Sequence, residues 1–240
     1  GGAPVTRAVP LVLLLVACAP PQHAVEFPLR ATVAGTPLPR LINGSAVTLS
    51  RALLGVGPIY WCSTASAGAD LCGQPLLEFA STATVDLLDP HPQVLGGVRG
   101  YSGVVRSAQY DHAQSWTVTS SRPEAMPGAP DGHALVLQGN VVGAARDFSF
   151  QVDVDVQAIR QGELAVTYAR TDATIGTATT GVTLDIPLAR WLDGMDWAAL
   201  EAAAEATGTV HIGVDHPVSQ GLVLALTSIA RPTFVWEHEP

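Results

Sequence analysis

The sequence predicts an all-β fold, an antiparallel β-sandwich with one or two small helices near the C-terminus. Short segments in which apolar and polar residues alternate recur along the chain. Gly, Pro, Asn and Asp residues separate these segments at short intervals, which is typical of sandwiches. A clear helical pattern occurs only near residue 200. The chain has 240 residues and 48% hydrophobic residues, so it can bury a sizeable core.

The first predicted strand covers residues 25–33. Phe27 belongs to its apolar face, and Glu26 and Arg30 belong to its polar face. Pro28 interrupts this strand and has no N–H group to donate to a neighbouring strand. We therefore expect the strand to lie at the edge of a sheet.

Further strands are predicted wherever alternation or a short apolar run lies between turn residues. Asn43-Gly44 is a tight-turn signal before one of them. The segment 49–61 is predicted as one buried strand that runs into a cysteine-containing loop. The predicted segments are 47–49, 49–61, 82–88, 104–111, 115–119, 133–142, 148–156, 164–168, 182–186, 210–214 and 234–236.

The clearest hairpin is predicted from 133–142 and 148–156. From Phe148 to Val156 apolar residues occupy every second position, and Ser149, Gln151, Asp153 and Asp155 fill the positions between them. This pattern indicates an antiparallel strand with one buried and one wet face.

The one convincing helix follows Asp196, whose side chain can cap it. Trp197 and Leu200 point to one side, Glu201 lies on the other, and Gly208 is expected to end the helix. The apolar segment 218–229 is compatible with a buried helix or with a pair of strands.

The segment 120–132 is the longest irregular stretch of the chain and contains three prolines. Binding residues are often found on such connections, so we expect a binding loop here.

The first 18 residues form a different kind of segment. Residues 8–18 are an uninterrupted apolar run that follows Arg7. As a helix, about ten residues would span only ~15 Å. The hydrocarbon core of a bilayer is ~30 Å thick, so the run is too short to cross a membrane and fits a secretory signal peptide.

The end of this run, Leu15-Val16-Ala17-Cys18, resembles the lipobox of bacterial lipoproteins. The resemblance implies that residues 1–17 are a signal peptide and that Cys18 carries the lipid and begins the mature chain. Residues 18–24 would then be a tether and 25–240 a single β-sandwich domain. Ala19 is not the aspartate that retains such proteins in the inner membrane. The resemblance therefore implies the outer membrane, on its periplasmic or surface face, with the membrane itself as partner.

The charge balance argues against nucleic acid as a partner. The formal net charge is −9, and no cluster of basic residues occurs. Phosphate contacts require clustered Lys or Arg side chains.

Two cysteines remain after Cys18, namely Cys62 and Cys72. In an exported protein an even pair indicates a disulfide. The alternative, two thiols that bind a metal, is disfavoured because nine intervening residues fit neither a CxxC motif nor a zinc knuckle.

No motif for catalysis or for a cofactor is present in the sequence, and we expect neither. Asp153 and Asp155 are paired carboxylates, but their strand pattern favours a solvated face. Four histidines lie near acidic residues, as copper or zinc sites require: His112, His133, His211 and His216. Their spacing does not place any two in one local site.

Two functions remain as hypotheses. The first is a cell-envelope lipoprotein whose non-enzymatic domain is a binding or structural module. The alternative is a periplasmic copper- or zinc-binding protein that uses the four histidines, and it requires at least three ligand side chains to converge. A hydrolase would require a nucleophile and a base within hydrogen-bond reach in a pocket.

Overall fold

Two β-sheets pack against each other, and small helices, most of them near the C-terminus of the chain, pack against the second sheet. The computed structural model describes residues 22–35, 38–65, 72, 75–115, 123–143, 147–159, 167–204 and 209–239. The predicted fold class, a β-sandwich with small helices mostly near the C-terminus, is confirmed.

Sixteen strands are found in the described residues. They are β1 Ala24–Val33, β2 Arg40–Ile42, β3 Ser45–Val56, β4 Ile59–Cys62, β5 Pro75–Phe79, β6 Ala83–Asp86, β7 Gln93–Tyr101, β8 Gly103–Tyr110, β9 Gln114–Ser115, β10 Glu124–Ala125, β11 His133–Val142, β12 Phe148–Asp155, β13 Thr167–Ile175, β14 Thr179–Ile186, β15 Thr209–Ile212 and β16 Thr233–His238.

The larger sheet has eight strands in the order β13-β8-β4-β5-β7-β1-β14-β16. The second has six, in the order β15-β12-β11-β3-β2, with β6 also paired to β3. Most pairings are antiparallel, as predicted. Two are parallel, β1 with β14 and β12 with β15.

The eight-stranded sheet curls until its edge strands meet. In the strand order β4 and β16 are separated by four strands, yet the ring of Trp61 on β4 packs against Phe234 and Trp236 on β16. At the edges, the indole N–H of Trp236 donates to Thr171 Oγ1 on β13 at 3.0 Å. The inner face of this sheet therefore surrounds an aromatic core.

Strand alternation explains which side chains of the six-stranded sheet are buried. On β12, Phe148, Phe150, Val152 and Val154 are buried, and the residues between them are partly exposed. The predicted hairpin of β11 and β12 is confirmed, with Leu137 opposite Val152. Removal of this apolar surface from water, at about 25 cal/mol per Å², is the main stabilising contribution.

The position of Pro28 differs from the prediction. Strand β1 lies inside the eight-stranded sheet, between β7 and β14, and not at an edge. Pro28 is tolerated because the pairing with β14 begins only at Leu29, and a register shift follows between Leu29 and Arg30. The missing N–H group therefore interrupts no ladder with β14.

The segment 49–61 forms two strands in place of the single strand predicted. Strand β3 ends at Val56 in the six-stranded sheet, and β4 begins at Ile59 in the eight-stranded sheet. Gly57 has a φ of +94°, and its added Cβ would lie 2.9 Å from the Phe79 ring. A left-handed conformation and a close contact at one residue explain why glycine stands where the chain changes sheets.

Four α-helices lie within the described ranges: α1 Val156–Ile159, α2 Leu188–Gly194, α3 Trp197–Ala203 and α4 Pro217–Leu224. The predicted cap of α3 is confirmed, since Asp196 Oδ1 accepts from the N–H of Ala199 at 2.9 Å. Gly208 lies outside the described residues. The segment 218–229, for which the sequence allowed a helix or a pair of strands, is helical. Helix α4 continues there as a π-helical turn over Ala225–Ile229. Within the described residues, no helix combines the length and the apolar character that a membrane crossing requires.

The predicted binding loop at 120–132 is only partly described, from residue 123 onward. This part is fixed against β6. The Gly128 N–H donates to Thr82 Oγ1 at 3.2 Å, and the Thr84 hydroxyl donates to Gly128 O at 2.9 Å.

Candidate functional site

A cleft lies on the solvent side of the eight-stranded sheet, where β5, β7 and β1 run side by side. Its volume is about 520 Å³, and both charged and apolar residues line it. The cleft is therefore formed by strands, whereas the sequence predicted a binding loop at residues 120–132.

Three charged side chains form a row across this cleft. Glu26 on β1 is paired in register with Arg99 on β7, and Arg99 with Glu78 on β5. All three are exposed, because their neighbours in sequence face the core. The Arg99 Nε atom lies 3.3 Å from Glu26 Oε1. The row therefore presents one positive charge between two negative charges.

Tyr60 extends this row on β4, where it is paired with Glu78. Partial burial raises the pKa of the Tyr60 hydroxyl, and the negative charges of Glu78 and Asp111 raise it further. A neutral phenol therefore stands beside the Glu78 carboxylate.

Apolar residues form the remaining walls of the cleft, including Val25, Leu76 and the exposed ring of Tyr101. Strands β5 and β7 approach closely here. A Cβ atom on Gly100 would overlap the carbonyl oxygen of Leu76 and lie 2.8 Å from the Cα of Leu77. Glycine at this position allows the two backbones to form the floor of the cleft.

Replacement of Gly100 by alanine is expected to destabilise the protein by about 1–3 kcal/mol, because the new methyl group meets backbone that cannot move aside. Gly97→Ala on the same strand is the matched control. Its added Cβ would meet only Glu26 Oε1 at 3.6 Å, an ordinary contact. Urea unfolding followed by circular dichroism measures both. An equal loss in the two variants would contradict the role of the close approach.

The chain enters the domain at this cleft. Ala24, the first residue of β1, lines it. Just before it, the His23 N–H donates to Ser102 Oγ and the Ser102 N–H donates to His23 O, both at 2.8 Å. These bonds fix the start of the strand to the turn between β7 and β8.

The predicted disulfide between Cys62 and Cys72 is confirmed. Residues next to this disulfide form hydrogen bonds with side chains of β8. The Cys72 N–H donates to Gln109 Oε1, and the Ser107 hydroxyl donates to Thr64 O at 2.7 Å. Both polar side chains are buried as a result. Cys18, the predicted lipid attachment site, lies outside the described residues.

The four histidines occupy different elements. His112 follows β8 and is buried, His133 begins β11, and His211 is an exposed residue of β15. His216 caps α4, where its Nδ1 atom accepts from the N–H of Val218 at 3.2 Å. Among the residues that the structure describes, no three His, Cys, Asp or Glu side chains come together as a metal site. The metal-binding alternative thus finds no support in their placement.

His112 is held by one hydrogen bond. Its Nδ1 atom lies 3.2 Å from the carbonyl oxygen of Gly55. A carbonyl only accepts, so this geometry assigns the proton to Nδ1 and leaves Nε2 without one. Nε2 is buried and has no hydrogen-bond partner in the described part of the chain. Burial lowers the pKa of His112, and the bond to Gly55 and the charge of Asp111 oppose this shift.

Stability is therefore expected to fall as the pH decreases below about 6.5, where histidines of the unfolded chain take up protons. Between that pH and the lowered pKa of folded His112, the unfolded state binds a proton that the folded state does not. The slope contributed by this residue is at most about 1.4 kcal/mol per pH unit. Urea unfolding between pH 5 and 8 should show a smaller slope for His112→Gln. The exposed His91 supplies the control, His91→Gln, and equal slopes for both variants would contradict the assignment.

Asp153 and Asp155 on β12 have local partners. Gln151 Nε2 donates to Asp153 Oδ2 at 2.7 Å, and Asp155 Oδ1 accepts from the N–H of Gln157 at 2.9 Å. Both carboxylates lie on the partly exposed face of β12, as the alternation predicted.

Sequence reasoning missed the charged row of Glu26, Glu78 and Arg99. The alternation of β1 had already placed Glu26 on the polar face. What the sequence did not provide was the order β5-β7-β1, which brings the three residues together.

Comparison with known proteins yields one structural similarity. No protein-family model matches the chain, and no curated protein matches it. Among solved structures it is similar to MbnP from Methylosinus trichosporium, at 13% sequence identity and a TM-score of 0.40. The similarity covers 86% of this chain and 89% of that chain. A similarity at this level does not indicate a function.

Proposed function

We propose that this chain is a lipid-anchored protein of the bacterial cell envelope whose β-sandwich domain binds a ligand at the cleft without chemical turnover. The observation that supports this proposal is the row Glu26–Arg99–Glu78 in a cleft of about 520 Å³, placed where the chain enters the domain. The lipid would be attached to Cys18, as the lipobox resemblance implies.

The cleft would lie near the membrane surface. Six Cα–Cα steps separate Cys18 from Ala24 in sequence. Fully extended, they reach about 20 Å. A domain held by this tether keeps the cleft close to the lipid headgroups, in whichever direction the domain turns.

The charges of the row favour a zwitterionic ligand that carries an anionic and an ammonium group. Arg99 can bind the anionic group through its guanidinium, and Glu26 and Glu78 can accept from the ammonium. The Arg99–Glu26 ion pair is exposed, so such a pair contributes only about 0–1 kcal/mol and opens at little cost. Phosphoethanolamine, which occurs as the headgroup of common membrane lipids, carries both groups in one small molecule.

The anchor is tested by mass spectrometry of the N-terminal peptide and by membrane fractionation in the native host. We expect an acylated Cys18 as the first residue of the mature chain. The Cys18→Ser variant should carry no lipid and should be absent from the membrane fraction. An unmodified Cys18 thiol within an uncleaved chain would overturn this part of the proposal.

The cleft is tested with O-phosphoethanolamine by calorimetry on the full chain in non-ionic detergent. We expect binding that Arg99→Gln weakens at least tenfold. Arg170→Gln is the matched control, since Arg170 on β13 is also exposed and also pairs with a carboxylate at 3.3 Å. Equal affinity in the two variants, or no binding, would contradict the cleft as the site for this ligand. Release of inorganic phosphate during incubation would contradict binding without turnover.

A further inference from the structure

A second, smaller pocket lies at one end of the six-stranded sheet, where helix α3 crosses it. Its volume is about 100 Å³. It lies on a different sheet from the cleft, so conclusions about one do not depend on the other.

The walls of this pocket are mostly apolar. Ile42, Val47, Val141 and Phe148 from the sheet are buried, and so is Trp197 from α3. The indole N–H of Trp197 already donates to Leu192 O at 2.7 Å. The tryptophan therefore offers the pocket an aromatic surface and no donor that needs a partner.

One charged residue, Glu201, also lines the pocket. It lies four residues after Trp197 on α3 and shares its helix face, whereas the sequence pattern predicted Glu201 on the opposite, exposed side. Its Oε1 atom is buried and accepts no hydrogen bond from the described residues. A buried acceptor without a donor is unfavourable, so a donor from outside the chain would stabilise this arrangement.

The basic residue of the neighbouring strand β2 does not supply this donor. The Arg40 guanidinium donates two hydrogen bonds to the carboxylate of Asp193, from Nε at 2.7 Å and from Nη2 at 2.5 Å. The same contact lowers the pKa of Asp193 and raises that of Arg40. Glu201 and Arg40 are therefore not an ion pair.

We propose that this pocket binds a small alkylammonium group. The ammonium would donate to or lie against the Glu201 carboxylate, and its alkyl groups would contact Val47, Val141 and Phe148. A cation beside an indole ring is attracted by the ring's quadrupole. Glu201 is the single carboxylate of the lining, whose other polar side chains are the neutral Asn43 and Ser45, and a divalent inorganic cation usually takes six or more oxygen ligands. The volume admits a group of the size of trimethylammonium.

Ligand-observed NMR on the full chain in non-ionic detergent tests the proposal, with trimethylammonium chloride as the probe. Saturation transfer from protein to the probe methyl groups should be observed and should saturate with concentration. An uncharged molecule of similar shape, tert-butanol, should bind at least tenfold more weakly. Equal binding of the two molecules by the wild-type protein, or no saturable transfer from trimethylammonium, would overturn the proposal without any variant.

Glu201→Gln keeps the size of the side chain and removes its charge. It should weaken trimethylammonium binding at least tenfold and leave tert-butanol binding unchanged. Glu124→Gln is the matched control, because Glu124 is an exposed carboxylate on β10 and does not line the pocket. Equal affinities of the two variants for trimethylammonium would overturn the role of Glu201.

Discussion

Replacement of Trp61 by alanine is expected to lower the free energy of unfolding by about 3–5 kcal/mol, the range for large aromatic residues removed from a core. Trp61 is 0% exposed. Its ring lies 5.4 Å from that of Phe234 and 5.9 Å from that of Trp236, in both cases edge to face. Each such pair contributes about 0.5–1.5 kcal/mol beyond the area it buries.

The large effect follows from the position of Trp61 between distant strands. It connects β4 to β16 across the interior of the curled sheet, so alanine would leave a cavity that neither strand can fill without breaking its own ladder. The indole N–H has no hydrogen-bond partner among the described residues. Trp61→Phe therefore loses packing but no hydrogen bond, and we expect it to cost less than Trp61→Ala.

Urea unfolding followed by far-ultraviolet circular dichroism measures these changes. Val235→Ala is the control on β16, where Val235 is 53% exposed, and we expect a change within about 0.5 kcal/mol. If Trp61→Ala does not fold, Trp61→Phe still provides the test. A cost for Trp61→Phe no larger than that of Val235→Ala would contradict the bridging role.

Removal of the disulfide is expected to lower the free energy of unfolding by about 3 kcal/mol. The bond closes a short loop and so reduces the conformational entropy of the unfolded chain. The two cysteines are ten residues apart in sequence. Their link also keeps the N–H of Cys72 on Gln109 and so helps to cover the polar side chains of β8. We expect the double variant Cys62→Ala/Cys72→Ala to unfold at a lower urea concentration than the wild type.

A reductant provides the second arm of this experiment. It should lower the unfolding midpoint of the wild type to that of the double variant and leave the midpoint of the double variant unchanged. A wild-type midpoint that does not respond to reduction, although thiol titration shows the bond to be broken, would contradict the stabilising role.

The sequence was informative where local pattern determines structure. Alternation from Phe148 onward predicted the β11–β12 hairpin because both strands and their turn lie within 25 residues. The Asp196 cap predicted α3, and the pair of cysteines after the predicted signal peptide predicted their bond. Helix α2 was missed, since it has seven residues and begins after Pro187, which provides no side-chain cap bond.

Long-range pairing could not be read in the same way. Strand β1 pairs with β14, which is about 150 residues away, and nothing in either segment specifies the other. The edge position predicted from Pro28 failed for this reason, because a proline is also compatible with an inner strand where a neighbour begins after it. The candidate site depends on the same information, since Glu26, Glu78 and Arg99 meet only through the order of three strands.

The contact between β13 and β16 has a consequence for self-association. Open sheet edges are templates on which other chains can add strands and grow into aggregates. Here the outermost strands of the larger sheet face each other through Trp236 and Thr171. In the smaller sheet, the outer strands β2, β6 and β15 have three, four and four residues. Edges this short or this well covered offer little backbone for amyloid-like growth, even when many copies crowd together.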